Sequence, residues 1–224
     1  MLSYLIVLGG ALMVANLFLS LVWSPPDVNL TEGVRIFYFH APVAWVSFLA
    51  FFIVFVASIL YLTRKEQRWD LLANASAEIG VLFATLMLIS GSLFARIAWN
   101  VWWTWDPRLT TALILWFIYV GYLMLRAYAP QGAQGARYAA VLGIIGFVDV
   151  PIVYFSVRLR TLHPRPIGTG GAEADTFNLA SPEMVITLVL SVLTFTLLFA
   201  ALLWLRYRMK EVEEATERIR RDYA

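Results

Sequence analysis

Six stretches of about 20 predominantly apolar residues, separated by polar breaks, occupy almost the whole chain: 3–23, 40–63, 72–94, 109–127, 138–157 and 183–205. That is the length an α-helix needs to cross the hydrocarbon of a bilayer at 1.5 Å per residue. In lipid, each segment must also satisfy its own backbone hydrogen bonds. The pattern predicts an all-α, polytopic membrane protein: one bundle of six transmembrane helices, 1–205, with a tryptophan-rich loop between the third and fourth. Charge content agrees, at 14% of 224 residues against roughly 25% in soluble domains. The N-terminal run has no basic n-region and no small-x-small site before Ser24-Pro25-Pro26, so it reads as a retained first span. Residues 206–224 are a charged tail prolonging span six, and Glu214 and Arg218, four apart, suit a solvated helix.

The breaks carry recognisable punctuation. Ser181-Pro182 and Asp106-Pro107 each place a capping oxygen before a proline at the first helical position. Within the spans, Glu78 lies near the start of span three, its expected cytoplasmic end, and reads as able to snorkel. Asp149 is deeper in span five, two residues before Pro151. An intramembrane carboxylate is a functional candidate, and a mid-span proline frees a carbonyl and bends its helix. A structural role for Asp149 beside that irregular backbone is preferred over transport. The absence of cysteine excludes disulfides, thiolate metal sites and thiol redox chemistry.

Six spans put both termini on one side, A. Side A then holds Arg64, Lys65, Arg68, Arg126, Arg137 and six basic residues of the tail, eleven in all, against six on side B. The positive-inside rule favours A as cytoplasmic. Without the tail the count is five against six, so charge alone leaves orientation open. Parity does not depend on orientation. His40 at the start of span two, the loop after span three and His163 just beyond span five must share side B, together with Arg35, Arg96, Arg108, Arg158, Arg160 and Arg165.

That loop holds Trp99, Trp102, Trp103 and Trp105, four of the chain's nine tryptophans within seven residues. Tryptophan also populates the headgroup belt of membrane proteins, but a belt spreads around the bundle, whereas adjacent indoles offer a surface to a flat apolar ligand. Each indole buries roughly 150–250 Å² when covered, worth a few kcal/mol at about 25 cal/mol per Å². A single histidine at a membrane boundary is usually an interfacial polar group. Two, the only ones in the chain, on one face beside the indoles, suit the two axial positions of a haem iron. Zinc would recruit more protein ligands. Arg35 and Arg108 lie close in sequence to His40 and the loop, where guanidinium groups can pair with haem propionates. Arg158, Arg160 and Arg165 read as headgroup anchors, and Asp106 as the cap of span four.

The run Trp99-Asn100-Val101-Trp102-Trp103-Thr104-Trp105-Asp106-Pro107-Arg108-Leu109-Thr110 resembles the WWD signature of haem-handling proteins in cytochrome c biogenesis. Arg35-Ile36-Phe37-Tyr38-Phe39-His40-Ala41-Pro42 upstream, and Asp149 to Val157 leading to Thr161-Leu162-His163 downstream, are similar to the haem exporter protein C family, CcmC. The likeness covers nearly the whole chain. It implies a subunit of system I cytochrome c maturation in the bacterial cytoplasmic (inner) membrane, with both termini cytoplasmic and the WWD loop periplasmic. His40 and His163 would be axial ligands to transiently bound haem b, with Trp99, Trp102, Trp103, Trp105 and Asp106 beside it. Implied partners are the haem chaperone CcmE, the transporter subunits CcmA and CcmB, and the small membrane protein CcmD. The family commonly has Trp-Gly at Phe94-Ala95, glycine at Asn100 and alanine at Pro107, which implies altered loop flexibility here.

The leading expectation is therefore a non-enzymatic haem-binding and transfer protein. A membrane b-type cytochrome acting in electron transfer is the alternative, but moving electrons across a bilayer usually needs a second histidine pair. A secondary transporter would need polar groups at the midplane and broken helices, for which Asp149 and Pro151 are thin support.

Overall fold

The computed structural model describes residues 2–129, 132–156 and 181–223, and among these it contains helices and turns without a named strand. Helix α1 (Leu2–Phe18) runs into a π-helical turn, Leu19–Trp23. It is followed by α2 (Val34–Arg64), α3 (Gln67–Trp99), α4 (Pro107–Tyr128), α5 (Ala133–Phe147), α6 (Asp149–Ser156) and α7 (Pro182–Asp222). Five segments are long and apolar enough to cross a membrane, with α5 and α6 counting as one, and the shorter apolar helix through Trp23 makes a sixth. The chain is a polytopic, all-α membrane protein.

Helix ends depart from the hydropathy limits where polar or aromatic residues continue a helix beyond the lipid. Span two begins at Val34 instead of residue 40, with Pro42 inside the helix. At 31 residues α2 is about 46 Å long, well over the ~30 Å of hydrocarbon. His40 is thus on the second turn of a continuous helix. Span three likewise extends to Trp99, whose C-cap Asn100 adopts the left-handed conformation, φ 59°. Span five breaks at Val148, because Pro151 has no N–H for the Phe147 carbonyl. Asp149 opens the helix after the break.

Helix α2 is the centre of the bundle, packing on α3, α5 and α7, while α4 covers α3, α5 and α6, and α1 leans on α7. In the core, Phe51 of α2 stacks on Tyr119 of α4 with centroids 3.7 Å apart. Helices α2 and α5 approach closely at Gly143, where a Cβ would fall 2.9 Å from Ser58 Oγ and 3.0 Å from Val54 Cγ1. Small residues permit such approach where lipid supplies no hydrophobic drive for association. Helix α1 is attached by polar contacts: Ser191 donates to Asn16 Oδ1 at 2.6 Å, and Ser24 and Tyr38 hydroxyls lie 2.6 Å apart.

The end bearing the termini is locked by ion pairs. Arg126 of α4 grips Asp70 of α3 bidentately at 2.6 and 3.0 Å. Glu78 of α3 takes Arg206 and Lys210 from α7, the lysine at 2.7 Å. The predicted tail is thus a continuation of α7 pinned to α3 at its root.

Candidate functional site

At the opposite end, α2, α3 and the start of α4 converge around His40. The half-buried imidazole points from α2 toward α3, where its Nδ1 lies 3.0 Å from Ser90 Oγ. The ring rests over Gly91, where a Cβ would sit 3.0 Å from His40 Cε1. One turn further along α3, the buried Phe94 ring is parallel to the imidazole within 3°, centroids 6.2 Å apart. Phe94 also touches Phe37 (6.1 Å) and meets Trp99 edge to face (5.9 Å, 89°).

Trp99 closes α3, so the non-helical loop is 100–106 and carries three tryptophans, not four. Trp103 and Trp105 meet edge to face at 5.8 Å. Trp102 has the Arg96 guanidinium 5.8 Å from its ring, and its carbonyl accepts from Ser92 Oγ at 2.7 Å. The contacts of the indoles are therefore separate, Trp99 with Phe94, Trp103 with Trp105 and Trp102 with Arg96, and do not make one flat slab. Trp102 and Trp105 are the exposed members, at 57% and 76%.

Asp106 performs the capping expected of it. Its Oδ1 accepts from the backbone N–H of Arg108 and Leu109 at 2.9 and 3.1 Å, and Oδ2 accepts from Thr104 Oγ1 at 2.6 Å. Both oxygens hold the loop against α4, with Pro107 at the first helical position. Arg108 then points inward, within coulombic range of His40 and Tyr154. Its Nη1 is buried without a hydrogen-bond partner, as are Trp103 Nε1 and Thr110 Oγ1.

Arg35 is placed differently. It pairs with Glu32 in the turn before α2. Five residues from His40, it lies about 140° around the helix. The structure brings His40, Arg108 and the tryptophan loop to one end, as parity requires, and sets Arg35 apart from the imidazole. His163, with Arg158, Arg160 and Arg165, lies outside the described residues.

The residues fit an anion-bearing metal ligand such as haem in two chemical respects: an imidazole held through one nitrogen, and a buried guanidinium nitrogen lacking an acceptor. Comparison with known proteins bears on the same chemistry. The sequence matches the CcmC family, described as Heme exporter protein C, over residues 1–222. The chain belongs to the Heme exporter protein C family.

Proteins of that name in Bradyrhizobium diazoefficiens and Haemophilus influenzae are 36% and 34% identical to this chain. The first match covers 80% of this chain and 67% of the relative, the second 88% and 79%. A putative cytochrome c biosynthesis ccmC-like mitochondrial protein of Marchantia polymorpha is 36% identical over 66% of this chain, which spans 62% of that protein. The chain is thus a multi-pass membrane protein of a transport-related family in cytochrome c biogenesis.

Sequence reasoning missed Ser90 and Gly91. With Met87 and Phe94 they form a stripe of spacing three, one and three along α3. Small residues at helical spacing to a buried aromatic were the available signal, pointing to a side chain received from a neighbouring helix. Tyr154, within the 149–157 stretch, lies within coulombic range of Arg108, a relation that no sequence spacing signals.

Proposed function

We propose that this family member holds haem b transiently at its tryptophan-loop end and presents it for transfer to the haem chaperone CcmE. The observation that carries this reading is the juxtaposition of His40, fixed at Nδ1, with the buried and partnerless Arg108 Nη1. The imidazole supplies an axial nitrogen to the iron, with His163 as the second ligand. Arg108 offers a propionate a charge-assisted hydrogen bond inside a low-dielectric site. Trp102 and Trp105 cover the exposed edge of the porphyrin, Trp99 and Trp103 line its inner side, and Asp106 holds the loop in register. Arg35, already paired with Glu32, serves a propionate only by exchanging that partner. Retention comes from ligation and aromatic contact; release is possible because the covering indoles are on the outside. CcmA, CcmB and CcmD are the proposed assembly partners.

In the same reading the membrane domain is 1–205, the loop end is periplasmic, and the termini with the tail 206–224 are cytoplasmic in the bacterial inner membrane. Because the chain has no cysteine, single cysteines report topology cleanly. Val28→Cys and Tyr223→Cys replace side chains 87% and 89% exposed at opposite ends. A membrane-impermeant maleimide added to intact spheroplasts should label the first and spare the second; the reverse pattern rejects the orientation.

The ligand assignment is tested by absorption spectra of the purified protein with His40→Ala and His163→Ala. Each variant should lose haem or shift its Soret band. An unchanged band in both sinks the assignment.

A further inference from the structure

The surroundings of His40 decide which of its two nitrogens is free. Ser90 Oγ lies 3.0 Å from Nδ1. The same hydroxyl is placed to donate to the Met87 carbonyl at 3.3 Å, one turn back in α3. A hydroxyl has one proton, and when it goes to the carbonyl the oxygen faces Nδ1 as an acceptor. With the serine oxygen as the acceptor on that side of the ring, Nδ1 carries the proton and Nε2 keeps its lone pair.

Gly91 completes the arrangement. A Cβ there would lie 3.0, 3.6 and 3.8 Å from Cε1, Nδ1 and Nε2, so the imidazole lies against the α3 backbone at a point where a side chain would displace it. The parallel ring of Phe94 follows one turn on. All these contacts come from α3, a helix anchored elsewhere by α2, α4 and α7, so the ring's placement is set by the bundle and not by the loop.

We propose that the Met87–Ser90–Gly91 stretch of α3 is a positioning device for a metal ligand, locking His40 as the Nδ1–H tautomer with Nε2 presented to iron. Hydrogen bonding at the distal nitrogen of a ligating imidazole fixes ring orientation and strengthens the donor. Ser90 is a positioning residue acting through His40. The inference rests on the haem-ligand reading for its purpose, but the tautomer is a property of the chain without haem.

The test is ¹⁵N NMR of the full-length, haem-free protein in nanodiscs with labelled histidine, the two imidazoles being assigned with His163→Gln. His40 should show a protonated Nδ1 and an unprotonated Nε2. In Ser90→Ala the two shifts should move toward each other as both tautomers become populated, and Ser90→Thr should restore the wild-type pattern. An Nε2–H tautomer in the wild type, or no change in Ser90→Ala, overturns the proposal. With haem loaded, Ser90→Ala should keep a bis-imidazole spectrum while the iron's reduction potential rises, because the weaker donor stabilises the ferric state less. Threonine should restore the potential, and an unmoved potential overturns the donor-strengthening role. His40→Ala separates the two readings: an unchanged Soret band there defeats the ligand assignment, whatever the tautomer.

Discussion

The two ends of this bundle handle buried charge in opposite ways. At the end with the termini, Asp70 and Arg126 bind each other bidentately, and Glu78 is held by Arg206 and Lys210. A cavity of about 800 Å³ opens there between the α2–α3 turn, the α4–α5 turn and the extension of α7. The Asp70, Arg126 and Lys210 side chains on its wall are already engaged with protein partners, so this cavity is not where unused chemistry lies. At the tryptophan-loop end, the Asp106 carboxylate is consumed in capping α4. Arg108 Nη1, Trp103 Nε1 and Thr110 Oγ1 are buried there without hydrogen-bond partners. An unsatisfied polar group in a membrane protein costs several kcal/mol. The first end closes its charges in ion pairs; the second keeps a buried guanidinium nitrogen without an acceptor, the position at which the proposed reading puts an anionic ligand.

Breaking a closed pair gives the largest effect. Arg126→Ala leaves Asp70 buried and uncompensated, which should lower unfolding stability by about 3–5 kcal/mol. Thermal unfolding in detergent would show this as a large drop in midpoint, with haem affinity of the folded fraction unchanged. A loss of haem affinity alongside would mean that the two ends are not independent.

Arg108→Met tests the other end with the opposite sign. Replacing a guanidinium whose buried Nη1 lacks an acceptor by a hydrocarbon of similar length should leave the haem-free protein as stable as wild type, or more stable by about 1–2 kcal/mol. Haem retention, read from the Soret absorbance after size-exclusion chromatography, should fall. Arg35→Ala, which removes a half-exposed Glu32 pair, should weaken retention less. Destabilisation of the haem-free Arg108→Met protein would show that Arg108 is structural like its counterparts at the far end.

How much of this was legible in the sequence follows from the same contrast. Span number, the gathering of His40 and the loop on one side, and the caps at Asp106 and Ser181 all follow from local rules: apolar length, parity and punctuation. Helix ends were not legible, because Arg35 and Tyr38 look like a boundary although backbone hydrogen bonds carry α2 back to Val34. Nor were the partners across helices. Nothing in the order of residues pairs Glu78 with Arg206 or seats His40 over Gly91, since both depend on how separate helices turn toward each other. That Trp99 stands apart from the other three indoles was not legible for a related reason: it belongs to a helix whose C-cap turns the chain before Trp102 begins.

Within the loop, the cap should matter more than the turn. Asp106→Ala removes the acceptor for two backbone N–H groups and for Thr104, a loss of about 1 kcal/mol by the usual value of an N-cap. Because the loop remains tied to α3 through Ser92 to Trp102 and Arg96 to Asn100, haem retention should fall more than stability does. Asp106→Asn should recover most of both, and failure of asparagine to do so would assign the carboxylate charge a direct part in ligand binding.

The smallest effect belongs to Asn100. It occupies the left-handed C-cap of α3, φ 59°, the conformation for which glycine is favoured and asparagine is the usual substitute. Glycine at this position, common in the resembling family, and asparagine here are therefore two answers to one backbone requirement. The Asn100 carbonyl accepts from Arg96 Nη1 at 2.7 Å, and its N–H closes on the Arg96 carbonyl; both are backbone contacts that survive side-chain change. Asn100→Gly should shift stability by a few tenths of a kcal/mol and leave the Soret band in place. Asn100→Val, a β-branched residue forced to positive φ, should cost about 1–2 kcal/mol. If glycine and valine behave alike in thermal unfolding, the turn that separates Trp99 from the exposed indoles is not set by this residue.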